Sequence, residues 1–116
     1  MSVQSGYFKK NLHVDLTSGR CQRQTLSDAF LERYIGGRGF GAKMVWDNLV
    51  AHDFKIDPLG PENLLVIAPG PLTGAYLPSS GKCSFVAISP ATGIYADSSI
   101  GGTLGIELRQ TGVDVL

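Results

Sequence analysis

Glycine placement constrains this chain more than any other feature of its sequence. Fifteen of its 116 residues are glycine, and twelve of these fall between Gly36 and Gly105. That is nearly twice the usual share of about 7%. The glycines are scattered among branched apolar residues rather than run together. This excludes a flexible linker, a collagen repeat and low-complexity sequence. What remains is a folded chain whose backbone must bend tightly or be approached closely at many points.

The length suits one domain and is too short for two. Ten basic and ten acidic side chains cancel, and no basic run exceeds Lys9-Lys10. The balance argues against charge-driven binding of nucleic acid or membrane. The longest aliphatic run, Leu64 to Ala68, is far too short to span a bilayer. Met1 to Gly6 lacks the charged-then-apolar pattern of a signal peptide. Cys21 and Cys83 match no metal or redox spacing. A cytoplasmic protein with two reduced thiols is therefore expected.

Local patterns place the elements. Leu12, Val14 and Leu16 alternate with polar residues, which reads as a half-buried strand. Thr17 to Arg20 is a turn, and Cys21 to Leu26 returns as the second strand of a hairpin. Ser27 is a good N-cap, and Phe30, Leu31, Tyr34 and Ile35 recur at helical spacing until Gly36-Gly37. A second helix is predicted over Gly41 to Leu49, with Met44, Val45 and Leu49 buried and Trp46 partly so. Leu64 to Ala68 reads as a strand buried on both faces, ending at Pro69-Gly70-Pro71. Cys83 to Ile88 is a further strand, Ile94 to Ala96 a short one, and Asp97 to Gly102 a loop. A helix from Thr103 to Gln110 carries Leu104 and Leu108 on one face. Val113 to Leu116 reads as the opening of a strand, and the chain stops inside that apolar run, so a truncation near Leu116 is expected. The fold class is α+β, with mixed or antiparallel sheets and short helices.

Three motifs carry possible chemistry. Gly37 to Ala42 satisfies the dinucleotide fingerprint GxGxxG/A, but that fingerprint needs a strand before it. Here a helix is predicted before it, so a glycine hinge between two helices is the simpler reading. Gly81-Lys82-Cys83 resembles the end of a phosphate loop. The first glycine of that loop would fall at Tyr76, and Cys83 replaces the hydroxyl, so a Walker motif is excluded. Lys82 then reads first as a solvated lysine, with a point charge for a phosphate as the alternative. Asp97 to Gly102 precedes a helix, whose free N–H groups favour an anion. Lys82 and the Pro69 to Gly74 loop are expected to converge on that helix entry. His13, His52, Cys21 and Cys83 form no metal or nucleophile constellation.

The order of these pieces resembles a known family. Gly6-Tyr7, Val14 to Gly19 and Tyr34-Ile35-Gly36-Gly37-Arg38-Gly39 come first. Asp57-Pro58-Leu59, Pro61-Glu62-Asn63 and Ala68 to Gly74 follow. Ser89-Pro90-Ala91-Thr92-Gly93, Gly101-Gly102 and Gly112-Val113-Asp114 complete the series. In order and spacing this resembles the N-terminal domain of the aldehyde ferredoxin oxidoreductase family.

The resemblance implies a tungsten (or molybdenum) enzyme that oxidises aldehydes to carboxylic acids and passes electrons to ferredoxin. It implies a tungstopterin cofactor, with the metal held by two pterins whose phosphates magnesium bridges. It places Lys82, Ser99 and Gly101 against a pterin, the last two in the loop before the helix. It gives the Ser99 backbone carbonyl to the magnesium. Ser99 stands where members of the family often carry asparagine. Gly36 to Gly41 and Pro69 to Gly74 would support the cofactor floor. The second pterin stretch, the cysteines of a [4Fe-4S] cluster and the groups near the metal have no counterpart here. The chain is thus expected to form part of an N-terminal tungstopterin-binding domain, with no catalytic residue of its own, and to be inactive alone. Its partners would be the remaining domains or a partner subunit, and ferredoxin through the whole enzyme. The alternative is a free-standing interaction module that has lost the cofactor and forms a homo-oligomer or binds a partner.

Overall fold

The computed structural model describes residues 6–116, so the first five residues of the stretch read above for a leader pattern lie outside it. Strands β1 (Lys10–Asp15) and β2 (Arg20–Thr25) pair antiparallel as the predicted hairpin, with Asp15 opposite Arg20. Asp15 holds the turn: its carboxylate accepts the Thr17 and Ser18 N–H groups and the Ser18 hydroxyl. Helix α1 (Asp28–Tyr34) starts where predicted, because the Ser27 hydroxyl accepts the Phe30 N–H at 3.2 Å. It buries Leu31.

Helix α2 (Arg38–Ala51) is longer than expected at both ends. The glycines of the GxGxxG/A stretch do not fray it. Instead Gly37 and Gly41 let it lie close to β4 (Cys83–Ile88), and Gly39 makes room for the Tyr34 carbonyl. A methyl group at Gly41 would overlap the Val86 side chain. Trp46, expected to be partly buried, is 55% exposed and stacks edge-on against Phe54 at 5.5 Å.

The second sheet has the order β3-β4-β5, all antiparallel, with β3 at Val66–Pro69 and β5 at Tyr95–Ile100. Two expectations need correction here. Leu64 to Ala68 is not buried on both faces: Val66 and Ala68 enter the core, but Leu65 is 57% exposed. Asp97 to Ile100 is strand rather than loop. The small polar residues carry no strand pattern of their own. Pairing with β4 supplies the order, from Cys83 opposite Ile100 to Ile88 opposite Tyr95.

Val113 to Leu116 is hydrogen-bonded on both sides. The Asp114 N–H donates to the Lys10 carbonyl and the Leu12 N–H to the Val115 carbonyl. On the other side, Ile67 and Leu116 exchange both N–H···O bonds. This segment therefore joins the hairpin to β3, and Val113 and Val115 are fully buried. The core gathers Leu31, Phe40 and Val45 from the helices against Val66, Ala68, Val86, Ile88 and Val115. Helix α3 (Leu104–Gln110) lies on the opposite face, its Gly105 against Cys83 and Thr73. No helix among the described residues is long and apolar enough to cross a membrane.

Candidate functional site

A cavity of about 360 Å3 opens where the start of α2 meets the end of the second sheet. Alternation along β4 explains its floor. Ser84 and Val86 face α2, as the Ser84 hydroxyl below Gly37 and Val86 below Gly41 show. Lys82, two residues before Ser84, reaches the same side, and both line the cavity. Gly36, Gly37 and the Gly70 to Thr73 loop form one wall, and Ser79 and Ser80 another.

The wall is closely packed. A side chain at Gly36 would sit 3.0 Å from the Pro71 ring and 3.2 Å from the Pro69 carbonyl. Gly37 has φ 51° and donates its N–H to Pro69 O at 3.0 Å. Both positions thus require glycine. Ile35 precedes them at φ 67° and ψ −55°, and the Gly36 N–H closes back onto Tyr34 O at 2.7 Å. That is a γ-turn of the rare, strained kind, centred on a β-branched residue. The Tyr7 hydroxyl fastens it by donating to Ile35 O at 2.7 Å. Burial, then the nearby Asp114 carboxylate, raise the Tyr7 phenol above its ordinary value. So α1 ends at Tyr34, with Ile35 as its cap, just before the predicted glycines.

The electrostatics favour an anion. None of the lining residues is acidic, and Lys82 contributes a cation. Among the described residues the Lys82 ammonium has no ion-pair or hydrogen-bond partner. Helix α2 begins at this cavity with neither a capping side chain nor an acidic residue in its first turn. No acid of its own offsets its positive end, and the nearby carboxylate, Asp97 of β5, is paired with Arg38 at 3.2 Å.

The predicted site residues separate into two groups. Lys82 lines the cavity. Ser99 lies directly opposite Ser84 in β5, and opposed residues of an antiparallel pair share a face. Ser99 thus sits in a strand, not in the loop before α3 as expected. Gly101 follows on the same line, opposite Lys82 when the register is extended. The Ser89 N–H bonds the Ile94 carbonyl. Alternation from there turns the N–H and C=O of Tyr95, Asp97 and Ser99 away from β4, towards the open edge. The Ser99 carbonyl is accordingly available to a ligand.

Of the groups predicted to meet at the entry to α3, the Pro69 to Gly74 loop does pack on its first turn, Thr73 beside Gly105 and Gly74 beside Ile106. Lys82 lines the cavity with Gly36-Gly37 at the entry to α2, and residues Gly70 to Thr73 of the same loop line it too. Gly102 packs its carbonyl against Gly81, and the Thr103 side chain caps nothing. Helix α1 rather than a strand leads into Gly37, which removes the dinucleotide reading. Ser79, Ser80, Ser84 and Thr73 were not singled out in the sequence. Isolated hydroxyls carry no motif: Ser79, Ser80 and Ser84 lie near Lys82 in the chain, and the fold of the loop after β3 brings Thr73 to them. Among the described residues, no three His, Cys, Asp or Glu side chains cluster as metal ligands.

Comparison with known proteins bears on this arrangement. The family described as aldehyde ferredoxin oxidoreductase, N-terminal domain, matches residues 11–116. The tungsten-containing aldehyde ferredoxin oxidoreductase of Pyrococcus abyssi is 40% identical over 111 residues, covering 96% of this chain and 18% of that protein. The aliphatic sulfonate oxidoreductase, WOR-like subunit, of Pyrococcus furiosus is 43% identical over 108 residues, covering 93% and 17%. Among solved structures, the active site complex BamBC of benzoyl coenzyme A reductase with 1,5-dienoyl-CoA superposes with a TM-score of 0.88. The identity there is 33%, over 96% of this chain and 16% of that one. The chain thus spans less than a fifth of the length of these relatives. By the extent of the match, it belongs to the aldehyde ferredoxin oxidoreductase family, in the region of its N-terminal domain.

Proposed function

We propose that this chain supplies part of the binding site for a tungsten (or molybdenum) pterin cofactor. The enzyme would oxidise aldehydes to carboxylic acids with ferredoxin as electron acceptor, in the cytoplasm. The observation that carries the reading is the acid-free cavity with Lys82 at its mouth, beneath the uncapped start of α2.

The residues present fit an anionic cofactor. Lys82 would hold a pterin phosphate as a point charge, and the Ser79 and Ser84 hydroxyls would donate to its oxygens. Gly36 and Gly37, whose N–H groups are taken by the Tyr34 and Pro69 carbonyls, shape the wall beside it. The Ser99 carbonyl on the open edge would accept a bridging magnesium, with Gly101 beside it. When bound, the group supplies the two-electron redox chemistry. This chain's residues bind and orient it and contribute no acid, base or nucleophile. The [4Fe-4S] cluster and the groups near the metal would come from other domains or a partner subunit, so the chain alone would not turn over an aldehyde.

The test is elemental analysis for tungsten and molybdenum, with pterin fluorescence, on protein from the native host. Metal and pterin in constant ratio, both lowered by Lys82→Ala, are expected. Protein free of metal and pterin would overturn the reading. It would favour an interaction module, for which the open β5 edge, with Ile94 and Ile100 exposed, offers the surface.

A further inference from the structure

We infer that Thr73 and Arg109 are positioning residues that clamp the Gly70 peptide and the Lys82 backbone, and so set the shape in which the cavity meets its ligand. This rests on the reading of the cavity as an anion site.

Gly70 lines the cavity wall, and side chains hold its peptide groups from behind. Its N–H donates to Thr73 Oγ1 at 2.9 Å. Its carbonyl accepts from Arg109 Nη1 at 2.7 Å, and from the Thr73 N–H at 3.1 Å. The Thr73 hydroxyl in turn donates to the Lys82 carbonyl at 3.0 Å. One hydroxyl, with one proton to give and lone pairs to accept, thus ties the wall to the backbone of the cavity's cation. Thr73 is itself buried, and a side chain at Gly105 would press within 3.0 Å of its methyl group.

Arg109 uses the fork of its guanidinium. Nη2 donates to Gly6 O at 2.8 Å, and the group lies 5.5 Å over the Phe8 ring. A lysine there is a single point donor and cannot bridge two carbonyls in fixed geometry. The clamp therefore joins the segment before β1, the last turn of α3, the wall loop and Lys82. Neither residue faces the ligand as a charged contact; each acts through the backbone it holds.

The experiment pairs pyrophosphate titration with amide exchange, both read by NMR on the whole chain. Pyrophosphate is expected to shift the amides of Gly36, Gly37 and Lys82. Thr73→Val and Arg109→Met should each weaken its affinity about tenfold, the equivalent of one lost hydrogen bond, with Thr73→Ser within about twofold. Gly70 amide exchange should quicken about tenfold in Thr73→Val and stay unchanged in Thr73→Ser. Unaltered pyrophosphate affinity in a folded Thr73→Val protein, or unaltered Gly70 exchange, overturns the clamp. If Thr73→Val does not fold, Arg109→Met decides on the same readings. Should the unaltered chain show no pyrophosphate shifts, the anion reading falls, and the Gly70 exchange rates alone uphold or overturn the clamp.

Discussion

Asp114 is the single residue whose alteration should cost this fold most for the smallest change in shape. Its side chain is 2% exposed. One carboxylate oxygen accepts the Phe8 N–H at 3.1 Å and the other accepts the Lys10 N–H at 3.2 Å. These bonds close a loop of more than a hundred residues, between the entry to β1 and the segment that joins the two sheets. Asp114→Asn keeps the volume but leaves one acceptor oxygen. Its amide nitrogen then meets a backbone N–H, donor against donor. A hydrogen bond to a charged group contributes about 1.5–3 kcal/mol, and a stranded buried donor costs about 1–3 kcal/mol more. A loss of about 3–5 kcal/mol is expected. Unfolding entropy of about 2.1 cal/mol/K per residue turns 3 kcal/mol into a fall of roughly 12 °C in Tm for a chain of this length. Urea unfolding of Asp114→Asn and Asp114→Ala, followed by circular dichroism, reads the change directly. A loss below about 0.5 kcal/mol in Asp114→Asn would refute the argument, because it would mean that the two N–H groups find water as good a partner.

Other expectations follow from the same contacts. Gly41→Ala should destabilise by about 1–3 kcal/mol despite the better helix propensity of alanine, because the methyl overlaps Val86; a double-mutant cycle with Val86→Ala should show positive coupling in urea midpoints. Burial raises the Cys83 thiol above its ordinary value, so iodoacetamide at pH 8 should label exposed Cys21 first and Cys83 only on unfolding, as peptide mass mapping would show. The Tyr7 phenol is raised in the fold, chiefly by burial. It therefore contributes stability that is present below its ordinary value of 10.0 and lost as pH rises through the folded value, so urea midpoints above pH 10 should fall less steeply in Tyr7→Phe. The Arg38–Asp97 pair is exposed on the arginine side, so Asp97→Asn should change stability by less than about 1 kcal/mol, and a larger loss would assign β5 a dependence on that pair.

Much of the candidate site was legible only as single residues. Lys82 stood out because it follows a small-residue loop and precedes an apolar strand. Its neighbours in space did not, since Ser84, Thr73 and Gly37 share no local pattern with it. The pairing of β4 with β5 put Ser99 beside Ser84, and nothing in Asp97-Ser98-Ser99 announces a strand. Arg109 reads as an ordinary cation in the last turn of a helix. Its carbonyl partners lie 39 and 103 residues away.

The hairpin, the Ser27 cap, the bounds of β4 and the α+β class are local matters. Side-chain alternation, capping hydroxyls and turn chemistry act over a few residues, so the order of the chain alone determines them. The glycines belong partly to that account and partly not. Sequence shows that the backbone bends or is approached at many points. Only the packed structure shows that Gly41 admits Val86 and that Gly36 admits the Pro69 to Pro71 loop. The same holds for the cavity, the strand character of β5 and the burial of Val113 to Val115. Each depends on hydrogen bonds and contacts between residues far apart in the chain, whose energies are decided by which surfaces meet and not by what stands beside each residue in sequence.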